Sequence, residues 1–153
     1  MDAHVTDIAR IIQLAVAPVF LLTAIGTILS AQNNRLGRIV DRRRVIEDRL
    51  RTPPAESPAQ VKADVEELNL LGQRIRLIYH AIMFAVACAL LVCMLVAAVF
   101  LGVFVAMDLA KVVGILFILA MFALVGSLGL FLREIFLAVK VGRHRLTFDD
   151  FIK

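Results

Sequence analysis

The sequence predicts an all-α membrane protein: three transmembrane helices, with a cytoplasmic antiparallel helical hairpin formed by extensions of spans one and two. Three observations predict it. The chain of 153 residues is 61% hydrophobic, with a mean hydropathy of +0.88, whereas soluble domains hold about 45–50% apolar residues. Three apolar runs, Ile8 to Ser30, roughly Ala81–Met107 and roughly Val112–Leu132, each reach the ~20 residues that cross a ~30 Å hydrocarbon core, and the spans are placed at about 8–31, 79–107 and 110–134. The Lys and Arg residues are gathered in the segments that would lie on one side of those runs. Residues 1–153 therefore read as a single integral-membrane domain, with the hairpin at about 32–78 and a C-terminal cytoplasmic tail at 135–153.

The first span, Ile8 to Ser30, is almost wholly apolar. Its leader carries Asp2 and Asp7 and no Lys or Arg. A cleaved secretory signal has a basic start and a shorter apolar core, so this helix is expected to stay in the mature protein. It runs without a Pro or a loop signature into Gln32-Asn33-Asn34-Arg35-Leu36-Gly37-Arg38 and on to Arg44. Pro18 is the one break, and a lone Pro is tolerated in a membrane helix. Gln13, Val16, Phe20, Thr23, Thr27, Ser30 and Asn34, then Arg38, Arg42 and Arg49, fall within a sector of roughly 120° on an ideal helix. Lipid leaves polar groups unpaired, so such a seam must face protein or water.

Beyond the membrane, Leu36, Ile39, Val40, Ile46 and Leu50 recur at three- and four-residue steps and give an apolar face. Thr52-Pro53-Pro54 ends that helix, because proline cannot continue it and restrains its predecessor. Ser57-Pro58-Ala59-Gln60 starts the next, with Ser57 as N-cap, Pro58 at the first helical position and Gln60 closing a capping box. Val61, Val65, Leu68, Leu71, Ile75 and Ile78 form its apolar face. One helix is expected to run from about Pro58 to Ala106, on the order of 70 Å at 1.5 Å per residue. Asp108 is the expected N-cap of the third span. Gly142 is its expected stop, with Lys140, Arg143 and His144 near the carbonyl end. Thr147-Phe148-Asp149-Asp150 suggests a separate short turn carrying Phe148, Phe151 and Ile152. Gly126, Ser127 and Gly129 allow close helix approach.

Orientation follows from charge. Of the seventeen Lys and Arg residues, ten lie in 31–80, five lie from Arg133 onward, and the other side holds Arg10 and Lys111. Basic loops stay inside, so the N-terminus is expected outside and the C-terminus in the cytoplasm. The formal net charge of +4 reflects topology and contact with anionic lipid head groups. Nucleic-acid binding is not expected, since Asp41, Glu47 and Asp48 interleave the basic run and no aromatics stack within it.

No site chemistry emerges. Cys88 and Cys93 are five apart with no His within a turn, so both read as packing residues and no metal or cofactor is expected. His4, His80 and His144 are scattered; His80, after Tyr79, reads as an anchor at the inner boundary of span two. No nucleophile has a base and an orienting acid at a recognisable spacing, so no catalytic residue is assigned and an enzyme is not expected. Arg133 and Glu134 point about 100° apart and so must find separate partners at the inner boundary, the Arg-rich end of the first helix being the nearest source.

The stretch Ala17-Pro18-Val19-Phe20-Leu21-Leu22 through Asn33-Asn34-Arg35-Leu36-Gly37-Arg38-Ile39-Val40-Asp41-Arg42 resembles a bacterial family of small three-span inner-membrane proteins catalogued as a domain of unknown function. The resemblance covers most of the chain and is sharpest at Asn34-Arg35-Leu36 with Arg38, Asp41 and Arg42. It implies the architecture and a bacterial inner (plasma) membrane, and supplies no activity or site residues.

The seam carries the functional expectation. Three helices cannot enclose a pathway alone, and spans two and three offer the seam few polar partners. A cyclic homo-oligomer with the first helix at the axis answers both points. Gln13, Val16, Phe20, Thr23, Thr27, Ser30 and Asn34 would then line a pore for a small ion, with Val16 and Phe20 as an apolar constriction that gates by dewetting. Arg38, Arg42 and Arg49 would form a cytoplasmic basic vestibule. The layout is similar in outline to calcium-release-activated channels, without a match to their acidic ring. The alternative is a non-conducting membrane scaffold whose cytoplasmic hairpin recruits a partner. A transporter or lipid-handling accessory is a third reading, which would show internal repeats or broken helices.

Overall fold

The computed structural model describes the backbone of residues 2–51, 57–105 and 109–149, and side chains within 16–51, 57–102, 104–105 and 109–139. All of the described elements are α-helices: α1 (Asp2–Arg51), α2 (Pro58–Val105) and α3 (Ala110–Asp149). Each contains a stretch long and apolar enough to cross a membrane.

The helix ends follow local chemistry. α1 continues through Pro18 and stops at Arg51, just short of the proline pair. α2 begins at Pro58, whose missing N–H costs nothing in a first turn. The Ser57 carbonyl accepts the first bonds of α2, from the Gln60 and Val61 amides at 2.8 and 3.2 Å. That places Ser57 at the cap position, as expected. At the start of α3 the Leu109 carbonyl accepts from the Val113 amide at 3.0 Å; the expected cap, Asp108, lies outside the described residues.

One boundary departs from expectation. Gly142 does not stop α3, and no separate turn begins at Thr147, because the helix runs unbroken to Asp149. An interior glycine costs only about 1 kcal/mol relative to alanine. Val141, Arg143, His144, Arg145 and Leu146 around it continue a helix, and no proline follows to end it. Phe151 and Ile152 lie outside the described residues.

The chain divides into two compact units, and each is described by itself. The first comprises Met1–Ser30 and Met83–Ser127. Its core is built from small side chains: Ala85, Cys88 and Val92 of α2, Ala120 and Ala123 of α3, and Ile25 of α1, with Leu21, Leu22, Leu29, Ala89, Leu91 and Leu124 packed against them. In lipid, apolar burial drives no helix association, so contact area and dispersion must do it, and small residues raise both by letting backbones approach. At Gly126 an added Cβ would meet the Phe84 ring at 3.4 Å, an ordinary van der Waals distance, so no close backbone approach depends on this glycine. At Gly129, also expected to allow close approach, an added Cβ would meet nothing within 4 Å. Ser127 is buried. Cys88 is buried and Cys93 exposed, both as free thiols.

The second unit comprises Ala31–Ile82 and Leu128–Lys153. Larger side chains fill it. Ile39 and Ile46 of α1 form a cluster with Leu71 and Ile78 of α2, flanked by Leu36, Leu50, Leu68, Ile75 and Ile82. Ile39 and Ile46 are seven apart, as are Leu71 and Ile78. That repeat averages 3.5 residues per turn and keeps one seam of each helix against its neighbour. The repeat extends to polar side chains: Gln32 precedes Ile39 by seven, Asp64 precedes Leu71 by seven, and both are buried.

Candidate functional site

Two arrangements stand out, and both are built from polar side chains on apolar helices. The first is the expected seam on α1. Within the first unit, Ile25 is 1% exposed and turns into the core, while Val16 at 46% and Phe20 at 72% turn out of it. Thr23, Thr27 and Ser30 are exposed on that same outward face. The seam is therefore not covered by the α2 and α3 segments that pack on Ile25. The threonine hydroxyls are satisfied within α1: Thr23 Oγ1 donates to the Val19 carbonyl and Thr27 Oγ1 to the Thr23 carbonyl, each at 3.1 Å. Such back-bonding lowers the cost of a hydroxyl in apolar surroundings. The side chain of Gln13 lies outside the described residues.

Within the second unit, Asn34, Arg38, Arg42 and Arg49 are exposed. The three arginines are not equivalent. Arg42 is paired: its Nε donates to Glu67 Oε1 at 3.0 Å and its Nη2 to Oε2 at 3.4 Å. The hydrogen bond to Glu67, then the Glu67 charge, raise the Arg42 pKa above its ordinary value, and Asp64 adds to this. This arginine therefore stays cationic, but its charge is largely spent on an acid of α2. Nearby pairs on α1, Arg43 with Glu47 at 2.7 Å and Arg44 with Asp41 at 3.8 Å, show that much of the basic run is balanced locally. Exposed pairs of this kind contribute about 0–1 kcal/mol each.

The second arrangement is a buried carboxylate held by two arginines, all within the second unit. Glu134 of α3 is 0% exposed. Its Oε1 accepts from Arg74 Nη2 at 2.8 Å and from Arg74 Nε at 3.1 Å. Its Oε2 lies 2.9 Å from Arg35 Nη2. The Arg35 guanidinium also lies 5.4 Å from the centroid of the Phe131 ring, within cation–π range. Each helix thus supplies one member, at the point where the apolar run of α3 gives way to charge. The spacing of Arg133 and Glu134 pointed to separate partners, with the Arg-rich end of the first helix as a source; Glu134 finds Arg35 there, while no ion pair of Arg133 occurs among the described residues. Arg74 was not anticipated, because nothing in its local sequence distinguishes it from Arg76. Gln32 and Asp64 were also missed as core residues; their seven-residue offset from Ile39 and Leu71 was the available signal.

The clasp is a structural lock. A carboxylate transferred from water to the interior carries a desolvation penalty of several kcal/mol, offset only by close, well-directed partners. Arg74 supplies two hydrogen bonds to Oε1, while Arg35 lies close to Oε2 as an ion pair without a hydrogen bond to that atom. Its chemistry offers no nucleophile and no open coordination position. Among the described residues no cluster of three or more His, Cys, Asp or Glu side chains could hold a metal ion.

No curated protein and no solved structure matches the chain. A family model matches residues 15–144, a stretch that takes in the outward seam of α1, the paired Arg42 and the Arg35–Glu134–Arg74 clasp. With most of its length matched, the chain belongs to the family described as "Protein of unknown function (DUF2721)".

Proposed function

We propose that the protein is a pore for small ions in the bacterial inner membrane, assembled as a cyclic homo-oligomer with α1 nearest the axis. One observation carries the reading: in the first unit Thr23, Thr27 and Ser30 point away from the chain's own helices, on the face opposite buried Ile25. A polar face left open on a membrane helix is best placed against water or a second copy of itself. Copies of Val16 and Phe20 form the apolar constriction, where a narrow dry segment blocks ions until it is wetted. Arg38 is the vestibule residue with the freest charge, since Arg42 is committed to Glu67. The N-terminus faces outward and the basic segments 31–80 and 133–153 face the cytoplasm, by the placement of Lys and Arg.

A second reading has its own support. Because the Thr23 and Thr27 hydroxyls are bonded within α1, that face also suits dry contact between copies in a non-conducting scaffold, whose cytoplasmic helical hairpin recruits a partner. Liposome-flux or planar-bilayer recordings of wild type and Phe20→Ser at matched oligomer content separate the two. The pore predicts higher conductance in the variant, because a hydroxyl holds water where a ring excluded it. Equal background flux from both proteins, with the oligomer intact, refutes the pore. A protein that stays monomeric across mild detergents refutes the pore.

A further inference from the structure

A groove of about 350 Å³ opens on the second unit between α2 and α3, lined by Gln73, Arg76, Leu77, His80, Arg133 and Leu137. Its chemistry is divided. Leu77 and Leu137 supply apolar walls, while Arg76, Arg133, His80 and Gln73 supply donors. Arg76, His80 and Arg133 are exposed. No acidic side chain lines the groove. Glu134, next to Arg133 in sequence, is fully buried and held by Arg35 and Arg74, so it does not neutralise the groove. No ion pair of Arg76 or Arg133 occurs among the described residues. His80 is oriented: its Nδ1 lies 2.7 Å from the Arg76 carbonyl oxygen, to which it donates, leaving Nε2 as the free ring nitrogen.

The position of the groove identifies its occupant. On α2 it ends at His80, one residue before the apolar run that opens at Ala81; on α3 it begins at Arg133, one residue after the apolar run that closes at Leu132. Two helices thus bring unpaired arginines to one level, the level at which apolar spans give way to charge. That is the depth of lipid phosphates, and basic pockets between membrane helices on the cytoplasmic side suit anionic head groups. We infer that this groove binds an anionic phospholipid, with Arg76 and Arg133 on the phosphodiester, Gln73 and His80 on the polar head, and Leu77 and Leu137 against the glycerol and upper acyl chains. A guanidinium pair matches phosphate oxygens by geometry as well as by charge. The inference does not depend on the pore reading.

The test is native mass spectrometry of the full chain in mild detergent with equimolar phosphatidylglycerol and phosphatidylcholine. Wild type should retain phosphatidylglycerol at least ~10-fold more than phosphatidylcholine, and R76Q/R133Q should lose that preference. R76K/R133K, which keeps the charge, should retain part of it. R44Q removes an exposed charge outside the groove and should leave the preference unchanged. Should R76Q/R133Q fold poorly, H80E, which places a negative charge in the groove, should lose the preference as well. Equal retention of the two lipids by wild type, or loss of the preference in R44Q as large as in R76Q/R133Q, overturns the site. Displacement of phosphatidylglycerol by millimolar inorganic phosphate overturns the lipid assignment in favour of a soluble anion.

Discussion

Neutralising Glu134 is the most incisive perturbation of this fold. Glu134→Gln keeps the size of the side chain and an acceptor oxygen, but removes the charge that two arginines share. Arg74 has a side chain 18% exposed and Arg35 one 29% exposed, so both are largely shielded from water. Removing one partner of a buried ion pair costs about 3–5 kcal/mol, because the remaining charge is left uncompensated. For a chain of 150–250 residues each kcal/mol shifts Tm by about 2–4 °C, so E134Q should lower Tm by roughly 6–20 °C. The chain has no Trp and a single Tyr, which makes far-UV circular dichroism at 222 nm the suitable probe. Replacing the whole cluster by apolar residues, R35M/R74M/E134L, should recover most of the loss, since a buried ion cluster is often no more stable than a packed apolar one. A shift below about 2 °C for E134Q, or a triple variant less stable than E134Q, would refute the clasp as a buried, mutually dependent unit.

Other outcomes follow from the same packing. Ile46→Ala removes a fully buried side chain from the second unit and should cost about 2–5 kcal/mol, whereas Arg42→Ala, which breaks an exposed pair with Glu67, should cost no more than about 1 kcal/mol and less in high salt; both are read by thermal melts. Ala120→Leu places three extra carbons in the small-residue core of the first unit, where Ala120 is fully buried. It should destabilise by about 1–3 kcal/mol and raise the labelling rate of buried Cys88 in a C93S background. Membrane-impermeant maleimide applied to intact cells should label A3C and spare K153C. The reverse pattern would invert the orientation derived from Lys and Arg.

The sequence by itself determined the helical class, the three membrane-crossing stretches, the end of α1 before Pro53 and the start of α2 at Pro58. These features are local: apolar length is set by bilayer thickness, and proline acts on its own turn. A glycine is a weaker signal than a proline, which is why α3 passes through Gly142. The seam of α1 was legible as a stripe of Thr, Ser, Asn and Arg, but its direction was not. Both faces of a membrane helix are rich in apolar residues, so periodicity alone does not say which one meets the chain's own helices. Only the tertiary structure decided that Ile25 turns inward while Phe20, Thr23 and Thr27 turn outward. It also decided which arginines serve Glu134. Among the many basic residues flanking the spans, Arg35 and Arg74 are selected because helix packing brings distant stretches of chain within 3 Å of one carboxylate. Arg42 is diverted to Glu67 for the same reason, and Arg76 and Arg133 are left beside an open groove. Which charges are buried, paired or exposed depends on distances that only the folded helices set.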